Sequence, residues 1–555
     1  VRQPQKQNSQ IASPKRRRTL NNNPITVHPH LIVAAQAVTP VAVTIVAAQV
    51  VTLVAVALEA AQVVTLVAVA LEAAQVVTLV AVALEAAQVV TLVAVALEEP
   101  VLVIHQRSVL PAVLPRVVVV LVVLVAVVMR VDKRVMNIFN SPQRKRLFQS
   151  MKMGWYNFAP IEEGTGIPLT DQETPYALYY CHQVLPQTIQ EIRQASELVG
   201  SVLTQAWGII RTLDEDTLLY YGFPEDTIKL VKYDFLAPFC MRLDWCWNPE
   251  AGIKKVVETN PQTPSFWFEC TDGNNKVARH FGLQQPDLDA QKILKITLNQ
   301  HINKAALNLG KPITDCRVAF TALNNAEDLG TMRWLSKYLE SKSAILPLEY
   351  LGIKDGEYLF DQRTKKPIDI LFMWYPVEWL IHDTDEKGER LWPALEQLIF
   401  ENKIVIVNFG SAFALQPKSV FALITDLGYD FFSEKDAGTV WEYFPKTSLS
   451  ATGIGNSYFA KPILGREGEG GFAVNSGNIS ARSSNNDPWY TQQNYVYQEL
   501  LEFPKLEIDG KSMTQVWGAW LYNNGNDKFI SGGVGMRLSE GEITDNLSYW
   551  CPIGC

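Results

Sequence analysis

The sequence predicts a mixed α/β fold over residues 151–555, preceded by a repetitive segment, residues 1–150, to which no fold is assigned. Three observations lead there. Helical and strand-like apolar patterns alternate along the second part, as they do when helices cover a sheet. All 32 Gly, 14 Trp, 19 Tyr and 7 Cys lie after residue 150. The first 150 residues carry 14 Lys/Arg against 6 Asp/Glu and the remainder 35 against 51, so two kinds of polypeptide are joined here. The net charge of -8 argues against general nucleic-acid binding. Seven Cys in 555 residues exclude a disulfide scaffold.

The first segment is dominated by EAAQVVTLVAVAL, repeated without mismatch from Glu59, Glu72 and Glu85. Packing does not select letter-perfect copies, whereas recent duplication of DNA produces them. The preferred reading is therefore upstream repetitive DNA within an overlong gene model, with a native start near Met136, Met151 or Met153. A membrane-associated extension is the alternative, resting on the apolar runs Val41–Leu58 and Val117–Met129. Against it, a Glu interrupts the repeats every thirteen residues, which is costly in lipid. A stack of Val-rich strands is compatible with propensity but would expose an aggregation-prone surface. The basic run Lys15–Arg18 is not followed by a signal-peptide core. The expected compartment is the cytoplasm.

In the body, a 3.6-residue apolar spacing predicts helices over Thr188–Leu213 and Asp287–Leu309. Short apolar runs bounded by turn residues predict strands at Val256–Glu258, Arg317–Thr321, Ile368–Met373, Ile404–Asn408, Tyr458–Lys461 and Tyr495–Leu500. The Gly-rich tract Gly465–Gly471 and the polar run Asn475–Asp487 are expected to be loops.

Three stretches carry candidate chemistry. In Met241–Ser265, Arg242 and Asp244 are two residues apart, as are Glu258 and Asn260, so each pair shares a strand face. A hairpin joining the two runs would gather one cation, two carboxylates and an amide oxygen, donors that suit Mg²⁺. An ordinary surface hairpin fits the same pattern. In Ser457–Val474, a strand ends at Lys461 and a loop with Arg466, Gly465, Gly468, Gly470 and Gly471 follows. Gly lets backbone N–H groups approach phosphate oxygens, and the cations neutralise their charge. Glu467 and Glu469 would have to point away from those phosphates. The tract matches neither a Walker motif nor a dinucleotide fingerprint, and a generic Gly-rich turn remains open. The third stretch, Val496–Leu521, reads by itself only as a β-hairpin.

Together these stretches resemble the glutathionylspermidine synthase family. The carrying residues are R-L-D at Arg242–Asp244, E-T-N-P-Q-T-P-S at Glu258–Ser265, Y-P-V-E-W at Tyr375–Trp379, A-K-P-I-L-G-R-E-G at Ala460–Gly468 and Y-Q-E-L-L at Tyr497–Leu501, in the family's order. The resemblance implies a permuted ATP-grasp fold with an accompanying pre-ATP-grasp-like α/β domain, and ATP and Mg²⁺ as co-substrate and cofactor. It implies that Asp244, Glu258 and Asn260 hold the metal and that Lys461 and Lys418 contact phosphates. Arg466, Glu467 and Gly468 would cover the triphosphate. Gln498, Glu499, Leu500 and Leu501 would form the adenine hinge, with Gln515 and Arg537 completing the nucleotide side. Arg242 would lie between the γ-phosphate and the substrate carboxylate as the catalytic cation. Thr263, Ser265 and Glu378 fall where the family contacts its peptide substrate. In ordinary ATP-grasp enzymes the Glu-x-Asn pair follows the lysines; here it precedes Lys461, as a permutation requires. Bifunctional members of that family carry an N-terminal amidase with a cysteine nucleophile; residues 1–150 contain no Cys, so the chain resembles the stand-alone synthetase type.

The implied reaction joins a peptide carboxylate to a polyamine or amino compound through an acyl phosphate, with no nucleic-acid partner, no expected membrane partner and no indication of oligomeric state. A non-catalytic nucleotide- or peptide-binding relative is the alternative. Asp244→Ala or Glu258→Ala is expected to abolish turnover with little loss of fold. His182, His280, His301 and His382 show no zinc-site spacing, and Leu243–Trp247 reads as core. Cys240 and Cys246 flank the hairpin and read as packing residues.

Overall fold

The structure is a computed structural model. It describes residues 137–158, 174–234, 236–428, 431–483, 487–525, 528–544 and 548–555, and four strands earlier in the chain. Contacts divide the chain into two units, Val135–Cys555 forming the body and Gln5–Arg134 a separate one. In the latter, Thr65–Leu71 pairs antiparallel with Val76–Val82, and Thr91–Val93 with Val103–His105. Val41–Leu58, Val117–Met129 and Met136 lie outside the described residues.

The body has the mixed α/β fold that the patterns predict. One antiparallel sheet of six strands runs, in order, Tyr549–Cys551, Phe529–Ser539, Lys511–Asn523, Cys240–Asn248 and Ile253–Asn260, with Lys505–Ile508 also paired to Lys511–Asn523. Its first hairpin in sequence thus completes a sheet whose other strands come from the C-terminal end, as a permuted ATP-grasp requires. A second antiparallel sheet orders Thr447–Ser448, Tyr495–Glu499, Tyr458–Pro462, Phe472–Asn475 and Asn478–Arg482. A parallel sheet, Ser343–Pro347, Val318–Ala322, Ile370–Trp374 and Val405–Val407, forms the accompanying α/β layer.

The expected strands are found with shifts of up to three residues at their ends. The expected helices are Pro186–Ile210 and Ala290–Asn308. The first starts on Pro186, whose missing N–H would be unpaired in a first turn anyway. One expectation is corrected. The polar run Asn475–Asp487 contains the strand Asn478–Arg482, an edge strand with mostly exposed side chains. Neither of its faces is buried, so it lacks the apolar alternation that betrays a strand.

The body also begins before the break in composition. The helix Pro142–Ser150 buries Leu147 and Phe148, and its Arg144 is buried too. That guanidinium donates to the carbonyls of Ala177 and Tyr156 and to Asn157 Oδ1, fastening the segments on either side of residues 159–173.

Aromatic side chains bind the layers. Trp267 stacks on Trp520 of the six-stranded sheet at 4.5 Å and lies 5.5 Å from Trp374, at the end of a parallel strand. Trp245 and Trp247 are buried, so the Trp-rich stretch Leu243–Trp247 serves the core as expected. Removing such a side chain typically costs about 3–5 kcal/mol. Cys240 and Cys246 are buried, and burial pushes the Cys246 thiol up to about 12. A thiol so placed is a packing group.

Candidate active site

The hairpin Cys240–Asn260 supplies the floor of the site. Asp244 stands opposite Glu258, and Arg242 opposite Asn260, so all four project from one face. The register slips by one residue between Asp244 and Trp245, leaving Val257 without a partner across the ladder. Such a bulge re-aims backbone groups. Here the Val257 carbonyl accepts from Lys461 Nζ at 2.8 Å. Lys461 comes from the second antiparallel sheet, so the bulge is where the two sheets' chemistry meets.

Each carboxylate is met by cations. Arg242 grips Asp244 with Nε and Nη2, at 2.7 and 2.9 Å, and Arg537 Nη2 reaches the same carboxylate at 2.7 Å. Asn260 Nδ2 adds a bond of 3.2 Å. Burial would raise the Asp244 pKa, but the two guanidiniums outweigh it and hold the carboxyl below its ordinary range. Lys418 Nζ lies 3.0 Å from Glu258 Oε1 and donates to the Gly465 carbonyl at 2.6 Å. Lys461 also donates to Gln498 Oε1 at 2.9 Å, and burial pushes its ammonium down to about 8. Four cations thus face two carboxylates, an excess of positive charge suited to a polyanion.

These groups line one cavity of about 2230 Å³. A single small ligand fills about 300–1,000 Å³, so there is room for more than one. Arg242, Asp244, Glu258, Asn260, Thr263, Ser265, Lys418, Lys461, Arg466, Glu467, Gly468, Gln498, Glu499, Leu500, Leu501, Gln515 and Arg537 all stand on its wall. Glu378 does not. It is only 1% exposed, and its Oε1 accepts from Arg466 Nε at 2.7 Å, while Arg466 Nη1 reaches Thr263 Oγ1 at 2.9 Å. The Gly-rich loop is therefore latched to the Thr263 segment. Glu467 and Glu469, expected to face away, both stand on the wall. Glu467 has a left-handed backbone, φ 51°, and the charge of its side chain acts on Glu327.

The far end of the cavity was not anticipated from the sequence. Ala322 and Trp374 end adjacent parallel strands, and the residues after them, Leu323–Leu329 and Pro376, open into the cavity. Strand C-termini of this kind are where α/β sheets present ligand sites. Glu327 and Asp328 stand there, with Glu269 buried nearby against Trp155 Nε1 at 2.8 Å. Burial, then the charges of Asp328, Glu269 and Glu467, push the Glu327 carboxyl well up; burial also raises Glu269 and Asp328. In sequence Glu327 and Asp328 sit in N-A-E-D-L-G-T, which has no spacing to mark them. Asn408 was also unmarked as a site residue. Its side chain accepts from the N–H groups of Phe239 and Cys240 and donates to the Pro261 carbonyl, tying the start of the hairpin to its end.

The donor chemistry fits a small hard cation. Asp244, Glu258 and the Asn260 amide offer oxygen atoms on one face, and a Mg²⁺ ion bound there would draw its other ligands from water and phosphate. Among the described residues no three His, Cys, Asp or Glu converge as a self-contained metal cage.

Comparison with known proteins gives a family, a curated relative and a solved structure. The model of the family described as glutathionylspermidine synthase preATP-grasp matches residues 149–554. A Haemophilus influenzae protein named "Putative acid--amine ligase" is 26% identical over 216 residues, which are 37% of this chain and 47% of the relative. The chain thus spans about half the length of that curated relative. The apo structure of a glutathione synthetase-like effector from Globodera pallida overlaps with a TM-score of 0.46 at 14% identity, over 75% of this chain and 98% of the effector. No helix among the described residues is long and apolar enough to cross a membrane.

Proposed function

Because the chain belongs to the glutathionylspermidine synthase preATP-grasp family, we propose that it is an ATP-dependent acid–amine ligase that forms an amide through an acyl phosphate. The observation that carries the reading is the meeting of Lys461, Lys418, Arg242 and Arg537 with Asp244 and Glu258 in one cavity, from segments as much as 293 residues apart.

A carboxylate is a poor electrophile, because the group that would leave is oxide. Transfer of the γ-phosphoryl group to a carboxylate oxygen yields ADP and an acyl phosphate. An amine nitrogen then attacks the carbonyl carbon, loses a proton, and inorganic phosphate leaves as the amide forms. The protein's work is positioning and charge neutralisation. Arg242 and Arg537 turn from Asp244 toward the transferring group, and Lys418 and Lys461 neutralise the remaining phosphates. Asp244, Glu258 and Asn260 would hold Mg²⁺, which supplies electrostatic neutralisation of the β- and γ-phosphates when bound. The loop Gly465–Gly471 covers the site and keeps water from the acyl phosphate. Gln498, Glu499, Leu500, Leu501 and Gln515 receive the base, while Thr263 and Ser265 receive a peptide carboxylate. The acidic end at Glu327 and Asp328 suits a cationic amine of the polyamine class. Glu378 acts through Arg466.

The test is ADP release from the full-length protein with Mg-ATP across a matrix of small peptides and amines. Release that needs both partners supports ligation. Nucleotide binding without turnover for any pair would favour a binding-only relative.

A further inference from the structure

Phe266 stands apart among the residues around the cavity. It is 2% exposed, and its φ is 79°, in the left-handed region that any residue with a β-carbon avoids. A bulky residue holds such a conformation only where its surroundings overdetermine it, and such positions cluster at functional sites. The surroundings are visible. The Phe266 carbonyl accepts from Trp520 Nε1 at 3.1 Å. The preceding carbonyl, of Ser265, accepts from Arg242 Nη1 at 2.9 Å.

The ring of Phe266 lies over two glycines of the six-stranded sheet. Gly518 and Gly535 are opposite one another, and Gly518 is also opposite Asp244. A β-carbon on Gly535 would come within 2.7 Å of the ring, and one on Gly518 within 3.1 Å. The same Gly518 position lies 3.4 Å from Arg242 Cδ. On the other side, the Arg537 guanidinium carbon is 6.0 Å from the ring centroid. The two glycines form a slot; the ring in it adjoins Arg537, while Gly518 beneath it adjoins Arg242.

We propose that Phe266 is a positioning residue for Arg242 and Arg537: its ring, seated on the Gly518–Gly535 slot, spaces the two guanidiniums about Asp244, and its left-handed backbone aims the Ser265 carbonyl at Arg242. This rests on the reading that the two arginines meet the terminal phosphate of ATP. The strain is then part of the site's preorganisation. Leu keeps apolar volume but not the flat face; Gly removes the ring and relaxes the backbone.

The experiment compares binding of ADP and of a non-hydrolysable ATP analogue, both with Mg²⁺, to the full-length wild type, Phe266→Leu and Phe266→Gly, alongside turnover and thermal melting. The wild type should prefer the triphosphate. In both variants that preference should fall about tenfold, a loss of about 1.4 kcal/mol of differential binding, while ADP affinity stays within about twofold. Turnover number should fall more than the KM for ATP rises. Equal weakening of both nucleotides, an unchanged preference, or collapse of the melting transition in Phe266→Leu would make the ring a packing element and overturn the proposal. A wild type that binds neither nucleotide sinks the ATP-dependent reading itself, and that outcome is read before any variant is compared.

Discussion

The two ends of the cavity use the same side chains to opposite effect. At the hairpin end, Asp244 is buried between Arg242 and Arg537 and stays ionised. At the far end, burial pushes up the carboxyls of Glu327, Asp328 and Glu269, and the charges of Asp328, Glu269 and Glu467 raise Glu327 further. Burial raises all four, and only at Asp244 do paired guanidiniums outweigh it. On the proposed reading, the cations beside Asp244 go to a phosphate, and the acids at the far end receive a cation.

The strongest way to break this contrast is at Asp244. Asp244→Ala should abolish turnover and also cost about 3–5 kcal/mol of stability, because two buried guanidiniums lose their counter-charge. This corrects the expectation of little loss of fold. Glu258, with a quarter of its side chain exposed and one lysine partner, is the cleaner probe. Glu258→Gln should cut turnover about a hundredfold or more with a melting temperature near that of the wild type. Turnover assays and denaturant titrations of both variants separate the two effects.

At the far end, Glu327→Gln should raise the KM for the amine about tenfold and leave nucleotide affinity unchanged. It should also flatten the pH dependence of stability. A carboxyl raised in the folded state destabilises the fold as pH climbs from the unfolded acid's pKa through the raised one. Gln cannot ionise, so the loss should shrink, as urea midpoints across that range would show. Rising KM for both substrates would count against a division of labour between the ends.

A smaller effect is expected at the latch. Glu378→Gln removes the charge partner of Arg466 and should speed tryptic cleavage after Arg466 several-fold, while ligands that close the loop restore protection. The smallest concerns Lys461. Its ammonium is down at about 8, and a bound phosphate favours the charged form. Nucleotide affinity should therefore decline as pH rises through about 8, and Lys461→Arg should remove the decline. Isothermal titration at pH 7 and 9 measures it.

Much of the hairpin end was legible beforehand. Arg242, Asp244, Glu258 and Asn260 lie on short strands, where a period of two tells which side chains share a face. Lys461 and the glycines after it were legible as a strand and its loop. The Val257 bulge was not, because an extra residue in a ladder exists only relative to a partner strand. Glu378 was expected among the substrate contacts; its place behind Arg466 depends on a loop 88 positions away. The helix Pro142–Ser150 was assigned to the first segment by composition, yet Leu147 and Phe148 belong to the core.

By itself, then, the sequence determined the α/β class, the hairpin that carries the carboxylates and the glycine-rich loop, because each is written in patterns a few residues long. Tertiary structure alone decided which cations meet which acids, why the carboxyls of Glu327 and Asp328 are shifted up and that of Asp244 down, and why Phe266 is held in a strained conformation. Those outcomes depend on distances between segments far apart in the chain, where burial and Coulomb forces act and local spacing carries no information.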